Sequence, residues 1–155
     1  MKVVIIMGSK ADLEWSKKIA ASLAELGLPF VMRIASAHKA PLKCLAIIKQ
    51  YEKEGAVFIT VAGRSNALSG FTDAQTTWPV IACPPYAEKF GGLDILSSLR
   101  MPSGVAPLVV LEPENAALAA AKIIGLSDPK VRKKVAKWQE QARQKIETDD
   151  ASVSK

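Results

Sequence analysis

Histidine is nearly absent from this 155-residue chain: His38 is the only one, and cysteine occurs just twice, as Cys44 and Cys83. One histidine and two cysteines without metal-ligand spacing argue against an all-protein zinc site. The two thiols allow one disulfide by arithmetic. Cys44 falls in an expected helix and Cys83 at an expected strand end, however, so reduced thiols are the favoured reading. No run of eighteen uninterrupted apolar residues occurs, so no membrane span is expected. The glycine spacing of a dinucleotide fingerprint and the Gly-Lys-Ser/Thr ending of a P-loop are also missing, and neither NAD nor ATP is implied. The apolar start, Met1 to Met7, resembles a short signal peptide only until Gly8, where a polar loop follows at once. The chain is read as unprocessed and cytoplasmic.

Apolar residues make up 49% and charged residues 23%, the balance of an ordinary globular protein. The length suits one domain over residues 1–155, long enough to bury a core. The formal charge is +6, with much of the excess in Lys130, Arg132, Lys133, Lys134, Lys137, Arg143 and Lys145. The plain reading is a solvated helix face. Nucleic-acid binding has no recognisable module to support it, and a basic balance also suits a phosphorylated small substrate.

Apolar runs and helical periodicities alternate along the chain. Residues 2–7 read as a buried parallel strand, and 12–26 as a helix with Ile19, Leu23 and Leu26 on one face and Gly27 as its C-cap. Strands follow at 30–34, 56–62, 79–83 and 107–111, and helices at 41–53, 68–76, 93–100, 114–124 and 129–147. Residues 148–155 are polar and expected to fray. The alanine-dense stretch from Ala116 to Ala121 suits close packing, either under the sheet or at a subunit contact. The alternation predicts a three-layer α/β/α sandwich around a parallel sheet, with an extra C-terminal helix. In such folds ligands bind beyond the carboxyl ends of the strands. The unusual polar segments all fall there: Gly8 to Asp12, Ser36 to Lys39, Gly63 to Ser69, and Pro84 to Lys89.

Each segment has a chemical and a structural reading. Gly8 permits a sharp turn that leaves amides and hydroxyls facing outward; Asp12 either caps the next helix or binds a sugar hydroxyl. His38, flanked by Ser36 and Lys39, is an imidazole that can move a proton both ways near neutrality, or a polar surface residue. Lys39 suits a phosphate or carboxylate. Gly63, Arg64, Ser65 and Asn66 offer backbone donors, a guanidinium, a hydroxyl and an amide, enough to cradle a phosphoryl group or to make a simple turn. Pro84 and Pro85 impose a rigid edge beside the cleft. Cys83 is read as structural, with a Cys83–His38 nucleophilic pair as the minor alternative.

These same residues carry a family likeness. Met7-Gly8-Ser9-Lys10-Ala11-Asp12, Ser36-Ala37-His38-Lys39, the run from Ala62 to Gly70, Cys83-Pro84-Pro85 and the run from Ser97 to Gly104, in that order, resemble the PurE family of purine biosynthesis across residues 2–147. Lys39 and the Gly63-Arg64-Ser65-Asn66 run resemble the direct carboxylase branch. The mutase branch has arginine after its histidine and a second histidine in the third loop. The resemblance implies a flavodoxin-like fold and reversible carboxylation of 5-aminoimidazole ribonucleotide by carbon dioxide to the 4-carboxy product, with no metal, biotin or ATP. It implies His38 as the acid/base residue. Gly8, Ser9, Asp12, Ser36, Lys39, Gly63, Arg64, Ser65 and Asn66 would contact the substrate, Ser9, Asp12 and Lys39 on its ribose phosphate side. It also implies a homo-oligomer, octamer or tetramer, with the last helix packing on neighbours. Ala11 departs from the family's usual serine, so a hydroxyl contact is lost there. The competing readings are the mutase acting on N5-carboxyaminoimidazole ribonucleotide and, from another class, a nucleotide-binding module without catalysis.

Overall fold

The computed structural model describes residues 1–154. Five strands form one sheet: β1 (Lys2–Met7), β2 (Phe30–Ile34), β3 (Ala56–Val61), β4 (Val80–Ala82) and β5 (Leu108–Val109). They lie in the order β2-β1-β3-β4-β5 and every pairing is parallel. This is the flavodoxin-like layout. The chain leaves β1 toward β2 on one side and reaches β3 on the other, so a crevice opens between the carboxyl ends of β1 and β3.

Period-two alternation sorts the central strands into two cores. On one face Val3, Ile5, Met7, Val57, Ile59 and Val61 pack with Ile19 and Leu23 of α1 (Leu13–Glu25) and with α5 (Pro113–Gly125). On the other, Val4, Ile6 and Phe58 meet Cys44, Ile47 and Ile48 of α2 (Pro41–Glu52) and Leu68 of α3 (Leu68–Ala74). β1 and β3 are apolar on both faces because helices cover both. The alanine stretch lies under the sheet: Ala116, Ala117, Ala120 and Ala121 are fully buried, and their small side chains let α5 approach α1 and the strands closely.

Helix α1 ends as its sequence predicts. Gly27 takes φ +62°, its N–H donates to Ala24 O (2.8 Å), and the Leu28 N–H donates to Leu23 O (2.9 Å). These two bonds satisfy carbonyls that the helix would otherwise leave open.

Three segments depart from expectation. The 93–100 helix is instead a 3-10 stretch, Lys89–Ile95, followed by a single turn, α4 (Leu96–Leu99). Phe90, Gly91 and Gly92 all have positive φ there, which breaks helical continuity. β4 and β5 are shorter than their apolar runs, since β5 is an edge strand paired at two positions only. Over the expected 148–155 tail, α6 (Pro129–Val153) continues as helix to Val153, and Lys155 lies outside the described residues. No glycine or proline stops the helix after Glu147, and Thr148 Oγ1 donates back to Gln144 O (2.9 Å). Only Val131 and Val135 of α6 are buried, so most of its length projects from the sheet layers. Among the described residues no helix is long and apolar enough to cross a membrane.

Candidate active site

Four loops meet at the carboxyl edge of the sheet around an open cleft of about 450 Å³, a size ordinary for small-molecule sites. The loop after β1 supplies Gly8, Ser9, Ala11 and Asp12; the loop after β2 supplies Ser36, Ala37, His38 and Lys39. The loop after β3 contributes Ala62, Gly63, Arg64, Ser65 and Ala67, joined by Leu68 of α3, and the loop after β4 closes one wall with Pro85, Tyr86 and Ala87. Nine of the ten site residues expected from sequence therefore line one cleft.

The first loop is tied to the third by close backbone approach. Gly8 N–H donates to Val61 O (2.9 Å), and a Cβ at Gly8 would stand only 3.3 Å from Ala62 Cβ. Within the first loop, Asp12 makes no side-chain cap bond to α1 and serves the capping box of the preceding 3-10 turn, Lys10–Asp12. Its Oδ2 accepts from Ser9 N–H (2.9 Å) and Ser9 Oγ (3.2 Å), while Ser9 Oγ accepts from Ala11 N–H (3.2 Å). Burial raises the Asp12 carboxyl above the ordinary 3.8; the Ser9 bonds and the nearby Arg64 cation oppose that rise without cancelling it.

His38 and Lys39 sit on a turn held from within. Ser36 Oγ accepts from Lys39 N–H (3.2 Å), and Ser36 O accepts from Ala40 N–H (2.8 Å). Both side chains are exposed at the cleft, so an imidazole and a cation face the same space. Ala37, between Ser36 and His38, packs on the second core and anchors the turn.

The third loop contains the least comfortable backbone in the site. Arg64 has φ +58°, a left-handed conformation that costs a side-chain-bearing residue roughly 1–2 kcal/mol. Its N–H donates to Asp94 Oδ2 at 2.8 Å. A hydrogen bond to a charged acceptor contributes about 1.5–3 kcal/mol, enough to offset that strain. Asp94 Oδ1 is buried and makes no hydrogen bond among the described residues. Asn66 is the expected site residue that the cleft does not include. It is buried, its Nδ2 donates to Ser98 Oγ (2.9 Å) and its Oδ1 accepts from Ser69 N–H (3.2 Å), so its amide stitches the loop to α3 and α4. A polar residue in a polar loop gives no sequence sign of which way it turns.

Tyr86 is the cleft residue that sequence reasoning left without a role. Its hydroxyl donates to Glu112 Oε1 (2.9 Å), and its ring stands edge-on to Trp15 with centroids 5.8 Å apart. The bond to the Glu112 carboxylate raises the phenol above its ordinary 10. Cys83 is fully buried in the first core, and burial pushes its thiol up to about 12. It does not line the cleft. A Cys83–His38 nucleophilic pair is thereby ruled out, because the thiolate is inaccessible at neutral pH. Both cysteines are free.

Known proteins resemble this chain in sequence and fold. The AIR carboxylase family model matches residues 2–145. The chain is 67% identical to a phosphoribosylaminoimidazole carboxylase of Archaeoglobus fulgidus, over 99% of this chain and 85% of that one. It is 45% identical to the human bifunctional phosphoribosylaminoimidazole carboxylase/phosphoribosylaminoimidazole succinocarboxamide synthetase, over 82% of this chain but only 30% of that much longer one. The crystal structure of Treponema denticola PurE superimposes with a TM-score of 0.96 at 46% identity, covering 99% of this chain and 98% of that one.

Proposed function

The chain belongs to the AIR carboxylase family, and we propose that it catalyses the reversible carboxylation of 5-aminoimidazole ribonucleotide by carbon dioxide, giving 4-carboxy-5-aminoimidazole ribonucleotide for purine biosynthesis. The observation that carries this reading is the placing of His38, the sole histidine, in one cleft with three loops rich in hydroxyls and backbone donors.

The 5-amino group makes C4 of the imidazole electron-rich. C4 attacks carbon dioxide, and its electron pair forms the new carbon–carbon bond. The ring regains aromaticity when the C4 hydrogen leaves as a proton. His38 accepts that proton, and returns it to C4 when the reaction runs in reverse. Carbon dioxide offers almost nothing to bind, so affinity rests on the ribose phosphate. Lys39 supplies a cation for the phosphate, Asp12 an acceptor for a sugar hydroxyl, and Gly8, Ser9, Ser36, Gly63, Arg64 and Ser65 line the same space. No metal, biotin or ATP takes part.

The working unit is a cytoplasmic homo-oligomer, an octamer or tetramer, of one domain spanning residues 1–155. Support comes from the exposed Phe90, Leu93, Leu96 and Leu99 between β4 and β5, and from the long, outward α6. An exposed apolar row of this kind is ordinarily covered by a partner.

The test supplies purified protein with 5-aminoimidazole ribonucleotide plus carbon dioxide, and separately with the N5-carboxylated ribonucleotide. Carbon dioxide-dependent formation of the 4-carboxy product supports direct carboxylation. Turnover of the N5-carboxylated compound alone would assign the chain to the mutase reaction instead.

A further inference from the structure

Asp94 belongs to none of the four loops that line the cleft. It lies in the irregular Lys89–Ile95 stretch, 30 residues beyond Arg64, yet its Oδ2 accepts the Arg64 N–H at 2.8 Å. Arg64 is one of two non-glycine residues with a positive φ among the described residues, and the other, Phe90, is 81% exposed and away from the cleft. Ser97 reinforces the junction: its Oγ accepts the Asn66 N–H (3.0 Å) and lies within hydrogen-bonding reach of Arg64 O (3.0 Å) and Asp94 O (2.8 Å). A Cβ on Gly63 would stand 3.7 Å from Asp94 Oδ2, so the carboxylate presses directly behind the loop.

We propose that Asp94 is a positioning residue for the ribonucleotide: its carboxylate holds Arg64 in the left-handed turn, and through it sets the Gly63–Ser65 backbone that lines the cleft. The substrate named here rests on the carboxylase reading above. The geometry assigns Asp94 this task because a left-handed arginine needs an outside partner to persist, and the Asp94 carboxylate is the group that meets its amide. A glycine at position 64 would need none.

The test uses the intact protein and reads two quantities. Hydrogen–deuterium exchange at the Arg64 amide, resolved by fragmentation mass spectrometry, should speed up more than about tenfold in Asp94→Ala. Asp94→Asn keeps a carbonyl acceptor and should return exchange to within about threefold of wild type. In steady-state kinetics Asp94→Ala should raise KM for the ribonucleotide about tenfold while kcat changes little, with Asp94→Asn recovering most of the loss. In the Arg64→Gly background the same Asp94→Ala change should add less than about threefold to KM. If Asp94→Ala does not fold, Asp94→Glu, whose longer arm misplaces the carboxylate, carries the same expectations for exchange and KM. Unchanged Arg64 exchange, or an equal KM effect in both backgrounds, overturns the proposal. Absence of turnover by wild type would overturn the carboxylase reading alone, because the exchange comparison decides the Asp94 tether without any turnover.

Discussion

Ser9 and Asp12 clasp one another at the mouth of the cleft: the backbone N–H and the hydroxyl of Ser9 both donate to Asp12 Oδ2, at 2.9 and 3.2 Å. Two donors on one oxygen hold the carboxylate still. They do not make it comfortable, because burial keeps its pKa above 3.8 despite them.

A stability signature follows from that imbalance. The folded state holds the Asp12 proton to higher pH than the unfolded chain does. This group's contribution is therefore most favourable below pH 3.8, and declines as pH rises through the folded value. Asp12→Asn, which stays neutral, should match or exceed wild type in thermal stability at pH 7, by less than about 1 kcal/mol, with the advantage shrinking toward acid. The same variant should bind the ribonucleotide more weakly, because the carboxylate acceptor is gone. Melting curves from pH 3 to 8 beside a titration of ligand binding check both halves.

Cys83 and Cys44 should be silent toward thiol reagents in the native protein at pH 8. Both are buried, and the Cys83 thiol lies near 12. Cys83→Ala should retain turnover and lose about 1 kcal/mol of stability. Rapid labelling of native protein, or loss of activity on the substitution, would contradict a purely structural thiol.

The α5 contact should tolerate no added bulk. Ala120 is fully buried against the first core, and Ala120→Leu should cost about 1–3 kcal/mol through overpacking. Denaturant unfolding measures that loss; a stability within about 0.5 kcal/mol of wild type would mean that α5 is loosely seated.

The elements that sequence reading placed well are those whose information is local. Val3 to Ile6 and Val57 to Ile59 form unbroken apolar runs, and such runs are buried strands wherever helices cover both faces of a sheet. Gly27 marks a helix end because the left-handed residue there needs glycine. His38 and its neighbours were legible because strand ends in this topology converge on one edge. The remainder depends on partners far along the chain. Asp94 reads in sequence as any polar residue of the helix expected over 93–100, since its meaning lies in the Arg64 amide 30 positions earlier. Asn66 reads in sequence as a cleft residue because loop composition does not reveal that Ser98 draws its amide inward. Residues 148–155 read as a tail because charge and polarity describe a solvated helix and a frayed end equally well.

The role of His38 is the central claim, and His38→Asn tests it most directly. Binding of 5-aminoimidazole ribonucleotide should stay within several-fold of wild type by calorimetry, because the phosphate and sugar contacts remain. Decarboxylation of the 4-carboxy product, followed in the same preparation, should fall by at least about 10²-fold, the usual contribution of a positioned acid/base group. Retention of wild-type turnover by that variant would contradict the assignment of the C4 proton to His38.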